Sequence, residues 1–163
     1  MTKSMIALAA ALCAALPAAA QAQEASAGPS QDAAWHNGQR AALAALKAED
    51  GWRWLEGGLM FRRLEGTGAG ERPTVRDTVT VHYAGTLTDG TTFDSSFDRG
   101  EPATFPLARL IPAWQVAIPM MAVGDTIEIA APAEMAYGPV GGGPIPGGAT
   151  LFFKVELIAI RGR

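Results

Sequence analysis

Cysteine is nearly missing from this chain: among 163 residues the single one is Cys13. It lies in an apolar leader, so the rest of the sequence has neither a disulfide framework nor thiol chemistry, and an oxidising compartment is tolerated. Histidine is almost as scarce, with only His36 and His82, too few ligands for a zinc site. Runs of one charge are absent. Thirteen basic and sixteen acidic residues are scattered through the chain, for a net charge of −3 and a pI near 5.3, which argues against nucleic acid and anionic membrane as partners. A stretch long enough for a membrane span is also lacking: the apolar run Met5–Ala20 has 16 residues, mostly alanine, too short and too weakly apolar for a stable anchor.

That run reads as something else. Lys3, the apolar stretch and Ala20-Gln21-Ala22 have the order of a secretory signal peptide, with cleavage expected after Ala22 and a periplasmic or secreted product. Cys13 is preceded by Leu12 rather than a small residue, so it does not read as a lipidation site. Removing residues 1–22 takes away one lysine and no acid, leaving a mildly acidic protein. Residues 23–57 form a small, polar leader and one amphipathic helix. That helix is expected over Asp32–Asp50, with Trp35, Ala42, Leu43 and Leu46 near helical spacing, Gly38 as a weak point and Gly51 as its C-cap. It could dock on its own domain, contact a client polypeptide, or make a weak dimer through residues 32–50, so monomer and weak dimer both stand.

Downstream the period changes to two. Val79, Val81 and Tyr83 share one strand face and Thr78, Thr80 and His82 the other, the mark of a half-buried antiparallel strand. Asp89-Gly90 is expected to form a two-residue hairpin turn leading to a return strand at Thr91–Ser95. Phe105 and Leu107 share a face of a further strand, as do Ile127, Ile129 and Ala131, and Leu151, Phe153, Val155 and Leu157. Between them, Leu110–Ile118 with Pro112 in its first turn reads as a short helix stopped by Pro119 and carrying Trp114 on one side. From Gly138 to Gly148 nine of eleven residues are Gly or Pro, so neither helix nor strand is expected and a long ordered loop results. These elements describe an α+β domain whose antiparallel sheet wraps a short α-helix, preceded by one N-terminal helix.

Familiar catalytic patterns do not fit. The Gly-rich loop lacks the Lys-Ser/Thr and following helix of a phosphate cradle. Ser95 and Ser96 are outside a G-x-S-x-G elbow. Asp94 and Asp98, four residues apart in a turn-rich stretch, are poorly placed as a glycosidase pair. His82 alternates with valines as an ordinary strand residue.

The segments VHYAGTLTDGTTFDSS, RGEPATF, LIPAW, VGD, AYG and GATLFFKVEL resemble the FKBP-type peptidyl-prolyl cis–trans isomerases, and within them the secreted bacterial branch related to the macrophage infectivity potentiator. The resemblance covers about Gly58 to Ile160, so an isomerase domain is expected over 58–163, with a five- to six-stranded sheet. It implies an apolar pocket lined by Tyr83, Phe93, Phe105 and Phe153 with Trp114 as its floor. Leu110 and Ile111 match the ligand-contacting segment at the helix entrance, and Tyr137 and Ile145 match long-loop residues over the rim. Asp94 and Arg99 match a polar pair at the edge, and Asp94 and Tyr137 take the catalytic positions. The implied reaction is isomerisation of X-Pro bonds in exported proteins without cofactor or metal. Proline-containing polypeptides are the implied substrates and macrolides possible inhibitors, although macrolide-binding members often carry an aromatic residue where Ala103 stands. The alternative is a chaperone or binding module that holds Pro-containing or unfolded segments with little isomerase activity.

Overall fold

The computed structural model describes residues 32–162; the expected signal peptide, Cys13 and the leader up to residue 31 lie outside them. An α-helix, α1 (Ala33–Ala44), starts where Asp32 accepts a hydrogen bond from the Trp35 N–H at 2.9 Å, an N-cap that satisfies one orphan donor of the first turn. The helix is shorter than its pattern predicts. Lys47 is extended (φ −112°, ψ 147°), a 3₁₀ turn follows at Ala48–Asp50, and Gly51 ends that turn in the left-handed region. The break redirects the chain so that Trp52 joins Leu43, Met60 and Ala130 in a small buried cluster.

Nine strands follow: β1 (Arg53–Trp54), β2 (Met60–Glu65), β3 (Thr78–Leu87), β4 (Thr92–Ser95), β5 (Ala103–Pro106), β6 (Thr126–Ala131), β7 (Gly141–Gly142), β8 (Ile145–Pro146) and β9 (Leu151–Arg161). Two short helices, α2 (Ser96–Arg99) and α3 (Pro112–Ala117), flank β5. Seven strands make one antiparallel sheet in the order β1-β2-β6-β9-β3-β4, with β5 pairing the first half of β3 and β4 its second half. The seventh strand beyond the expected six is the two-residue β1, which pairs with the start of β2.

Alternation on β3 holds except at Thr80, which is buried on the outer face with its hydroxyl bonded to Thr104 and Arg161. Val79, Val81 and Tyr83 are buried and pack with Ile127, Ile129, Phe153, Val155 and Leu157 around Ala113, Trp114, Ala117 and Ile118 of the α3 region. Pro112 occupies the first helical position of α3, where no N–H is needed. Pro119, lacking an N–H, falls in a 3₁₀ turn at Ile118–Met120 that ends the helical stretch.

Two local expectations change. Asp89-Gly90 is not a two-residue turn: Gly90 N–H donates to Leu87 O and Leu87 N–H to Thr91 O, so Thr88–Gly90 is a three-residue loop. Gly90 alone has positive φ, 86°, the pattern of a type I turn closed by a left-handed glycine. The Gly/Pro loop is not strand-free either. Residues of β7 and β8 pair antiparallel, Gly141 with Pro146 and Gly142 with Ile145. A Cβ at Gly141 would fall 2.2 Å from Ile145 O, so absence of a side chain permits this close ladder.

Helix α1 lies on the other face of the sheet. Gln39 accepts the Thr150 N–H at 2.9 Å through its side chain and the Thr150 hydroxyl at 3.2 Å through its backbone carbonyl. Leu43 covers Met60 and Ala130, with Leu46 and Phe152 at the margin. The helix thus docks on its own domain.

Candidate active site

The concave side of the sheet and the entrance of α3 enclose a pocket of about 200 Å³ lined by Tyr83, Phe93, Asp94, Phe105, Leu110, Ile111, Trp114, Tyr137 and Phe153. Each residue arrives by a local rule. Tyr83 is on the inward face of β3, paired with Val155, and Phe153 on that of β9, paired with Gly85, so the two rings are diagonal neighbours two residues apart on the ladder. Trp114 is on the sheet-facing side of α3, 5% exposed. Its ring meets Tyr83, Phe153 and Phe105 edge to face, with centroids 5.2, 5.5 and 6.3 Å away and interplanar angles of 80°, 85° and 75°. Such T-shaped contacts add about 0.5–1.5 kcal/mol per pair beyond area burial. The Trp114 indole N–H is buried with no acceptor among the described residues, so this residue is placed for its aromatic surface.

Phe93 reaches the pocket through an irregularity. The β3–β4 register runs Ala84↔Ser95 and Gly85↔Asp94 but then Thr86↔Thr92, leaving Phe93 as the extra residue of a bulge. Bulges re-aim side chains, and here the Phe93 ring meets Phe153 edge to face at 5.7 Å. Gly85 makes room: a Cβ there would lie 2.5 Å from the Phe93 ring and 3.1 Å from Phe153. Gly85 was not apparent from the sequence; the bare glycine in the middle of β3, which marks close backbone approach, was the available signal.

The edge is polar and internally paired. Tyr83 donates its hydroxyl to Asp94 Oδ2, Arg99 Nη1 donates to Asp94 Oδ1, and Arg99 Nη2 donates to Tyr83 Oη at 3.1 Å. Arg99 sits behind the lining, with its guanidinium 5.7 Å from the Tyr83 ring centroid. Burial by itself would raise Asp94, but the hydrogen bonds from Tyr83 and Arg99 outweigh it and hold the carboxyl below its ordinary value. Burial, followed by the adjacent carboxylate, pushes the Tyr83 hydroxyl up. At neutral pH the pair is therefore a carboxylate and a neutral phenol.

Ser96 fixes this wall from behind. Fully buried, its Oγ accepts the Tyr83 N–H at 2.7 Å and lies 3.2 Å from Tyr83 O and 2.9 Å from His82 Nδ1. His82 stacks on Phe97 on the far face, with centroids 4.7 Å apart. Ser95 caps α2 through the Asp98 N–H. Neither serine belongs to the pocket lining.

Tyr137 closes the rim from the Gly/Pro loop. It is 44% exposed, follows the 3₁₀ turn Ala133–Met135, and is held by Gly138 N–H to Ala133 O at 2.8 Å and Gly141 N–H to Tyr137 O at 3.2 Å. Its hydroxyl has no hydrogen-bond partner among the described residues. Ile145 is the exception among the expected rim residues. As part of the β7–β8 ladder it is buried in the main core, outside the pocket lining. Of the eleven expected site residues, nine line one cavity, Arg99 buttresses its edge and Ile145 supports the loop from inside.

The sequence profile described as FKBP-type peptidyl-prolyl cis-trans isomerase matches residues 69–158. The chain is 50% identical over 118 residues to the FKBP-type peptidyl-prolyl cis-trans isomerase FkpA of Aeromonas hydrophila, covering 72% of this chain and 44% of that protein. It is 46% identical over 123 residues to the peptidyl-prolyl cis-trans isomerase Mip of Coxiella burnetii, covering 75% of this chain and 53% of that one. The chain thus spans about half the length of the curated relatives it matches. Among solved structures, the crystal structure of FkpA from Escherichia coli superposes with a TM-score of 0.70 at 39% identity, covering 78% of this chain and 58% of that one. An isomerase structure from Pseudomonas syringae pv. tomato gives 0.71 at 33% identity, covering 79% and 95%. With the sheet, the helix it wraps and the aromatic pocket in place, these matches show that the chain belongs to the FKBP-type peptidyl-prolyl cis-trans isomerase family.

Proposed function

We propose that this protein accelerates cis–trans isomerisation of X-Pro bonds in proline-containing polypeptides, within the pocket floored by Trp114. The observation that carries the reading is the combination of a small aromatic cavity with an edge whose one carboxylate is already fully engaged. Rotation about an X-Pro bond is slow because amide resonance must be broken, a barrier of roughly 20 kcal/mol, and no bond to a side chain is needed to cross it. An acceleration of about 10⁵ requires about 7 kcal/mol of binding that favours the twisted amide over the planar one.

Three parts of the site contribute. The rings of Tyr83, Phe93, Trp114 and Phe153 hold the proline ring and exclude the water that stabilises the planar, more polar amide. The uncommitted Tyr137 hydroxyl donates to a substrate carbonyl. Asp94, held ionised, orients the carbonyl that swings as the amide twists. No proton changes hands, so Asp94 and Tyr137 act as electrostatic and hydrogen-bonding groups rather than as acid and base. Macrolides that present a proline-like ring are competitors for the same cavity. The leader over residues 1–22 supports export, with folding of exported proteins as the setting, and one relative from Legionella longbeachae is named an outer membrane protein.

A protease-free isomerisation assay on a short X-Pro peptide tests the reading. Wild-type protein is expected to outpace the solvent reaction by orders of magnitude, with Phe93→Ala and Trp114→Ala losing most of that gain. Wild-type protein no faster than solvent would leave a binding module instead.

A further inference from the structure

A second, larger cleft of about 660 Å³ lies between α1 and the segment that carries Tyr137. One wall is the helix, with His36, Asn37 and Arg40; the other is Ala133, Glu134 and Pro139. The walls are rigidly set. Gln39, on the same helix, is clamped to Thr150 by the two hydrogen bonds described above, and Gly148 lies so close to His36 that a Cβ there would come within 2.7 Å of the imidazole. Yet the side chains of Asn37, Arg40 and Glu134 make no hydrogen bond or ion pair with another described residue. The cleft therefore combines a fixed, largely apolar frame with one amide and one charge of each sign left uncommitted.

We infer that this cleft receives the stretch of client polypeptide flanking the proline held in the aromatic pocket, an inference that rests on the isomerase reading above. Continuity is the first argument. Tyr137 faces the prolyl pocket, while Glu134 and Pro139, three residues before it and two after, line the cleft. Two residues of chain span at most about 7 Å, so the same loop is a wall shared by both sites. An extended substrate advances about 3.3 Å per residue, so positions a few residues from the proline reach the cleft.

Chemistry is the second argument. Asn37 offers a donor and an acceptor, as needed to read a peptide group. Opposite charges on Arg40 and Glu134 suit a chain of mixed side chains and disfavour a polyanion such as nucleic acid. Apolar Ala133 and Pro139 beside these polar groups give alternate side chains a dry surface. The volume, more than three times that of the prolyl pocket, falls in the ~300–1,000 Å³ range of sites that enclose a sizeable ligand.

The test compares a tetrapeptide, too short to fill both sites, with a fluorescently labelled unfolded polypeptide containing one X-Pro bond of the same kind. Arg40→Glu and Asn37→Ala are the variants, both on the exposed side of α1, with thermal midpoints checked against wild type. Tetrapeptide kcat/KM is expected to stay within about twofold, while the polypeptide's Kd and KM rise about five- to tenfold, the loss typical of a contributing interface residue. Unchanged polypeptide affinity in both variants overturns the cleft. A change in sedimentation of the protein itself, with unchanged polypeptide affinity, also overturns it and makes a second copy the occupant. Failure of wild type to accelerate the tetrapeptide is read separately and overturns the isomerase reading.

Discussion

Asp94 occupies the position where a carboxylate could exchange a proton with substrate, yet both of its oxygens already accept hydrogen bonds from Tyr83 and Arg99. Since its pKa is depressed and that of Tyr83 is raised, neither titrates near neutrality. We expect kcat/KM for a short X-Pro peptide to be flat from about pH 6 to 8, measured in a protease-free assay; a steep bell there would contradict the mechanism. Tyr137→Phe removes one donor and should lower kcat/KM about five- to tenfold, since a hydrogen bond to substrate contributes roughly 1 kcal/mol and 1.36 kcal/mol is a factor of ten. Gly85→Ala is the sharper test of geometry. Its methyl would intrude on both Phe93 and Phe153, so kcat/KM should fall about tenfold with a lowered thermal midpoint, since overpacking costs about 1–3 kcal/mol. Motif residues such as Tyr83, Phe93 and Trp114 were legible in the sequence because their types and order are distinctive. Gly85 was not, because what matters there is the atom that is missing.

Strand ends and turns carry the buried charge. Asp125, between the 3₁₀ turn after α3 and β6, accepts the Ala122 N–H at 2.7 Å, the Gly68 N–H at 3.2 Å and the Arg63 guanidinium, which also donates to Met120 O at 3.0 Å. Burial would raise its pKa, but the Ala122 and Gly68 amides and then Arg63 hold it low. A depressed folded pKa means that this stabilisation is present above the unfolded value, near ~3.9, and is lost as pH falls through the folded one. Asp125→Ala should therefore cost about 2–4 kcal/mol at pH 7 by urea unfolding, with a smaller further loss on acidification than in wild type. Turn detail was the least legible part at this scale. Asp89-Gly90 suits a two-residue turn, but an L-residue at Asp89 resists positive φ. The third loop residue lets Gly90 alone take the left-handed angle.

Across the described molecule, the sheet is buried on both sides where α1 covers β2, β6 and β9, which is why Ala130 and Met60 are buried although they alternate with inward-facing residues. The apolar side of α1 is largely spent on this contact, so we expect one copy per particle at micromolar concentration by sedimentation. Met60→Ala should lower global stability by about 2–4 kcal/mol, read by urea unfolding, while short-peptide turnover per folded molecule stays unchanged, because the outer cluster and the pocket lie on opposite faces of the sheet.

By itself, the sequence determined what depends on local geometry and residue type: period-two strands, a proline-started short helix, the scarcity of cysteine and histidine, and the ordered set of aromatics that places the chain in its family. Only the tertiary structure decided the positions that depend on two remote segments meeting. It turned Ile145 into the core through the β7–β8 ladder, swung Phe93 inward on a bulge over Gly85, and docked α1 beside the Tyr137 loop to make a second cleft. The reason is physical. Periodicity reports which way a side chain leaves its own element, whereas burial and recognition depend on what another part of the chain brings to that side.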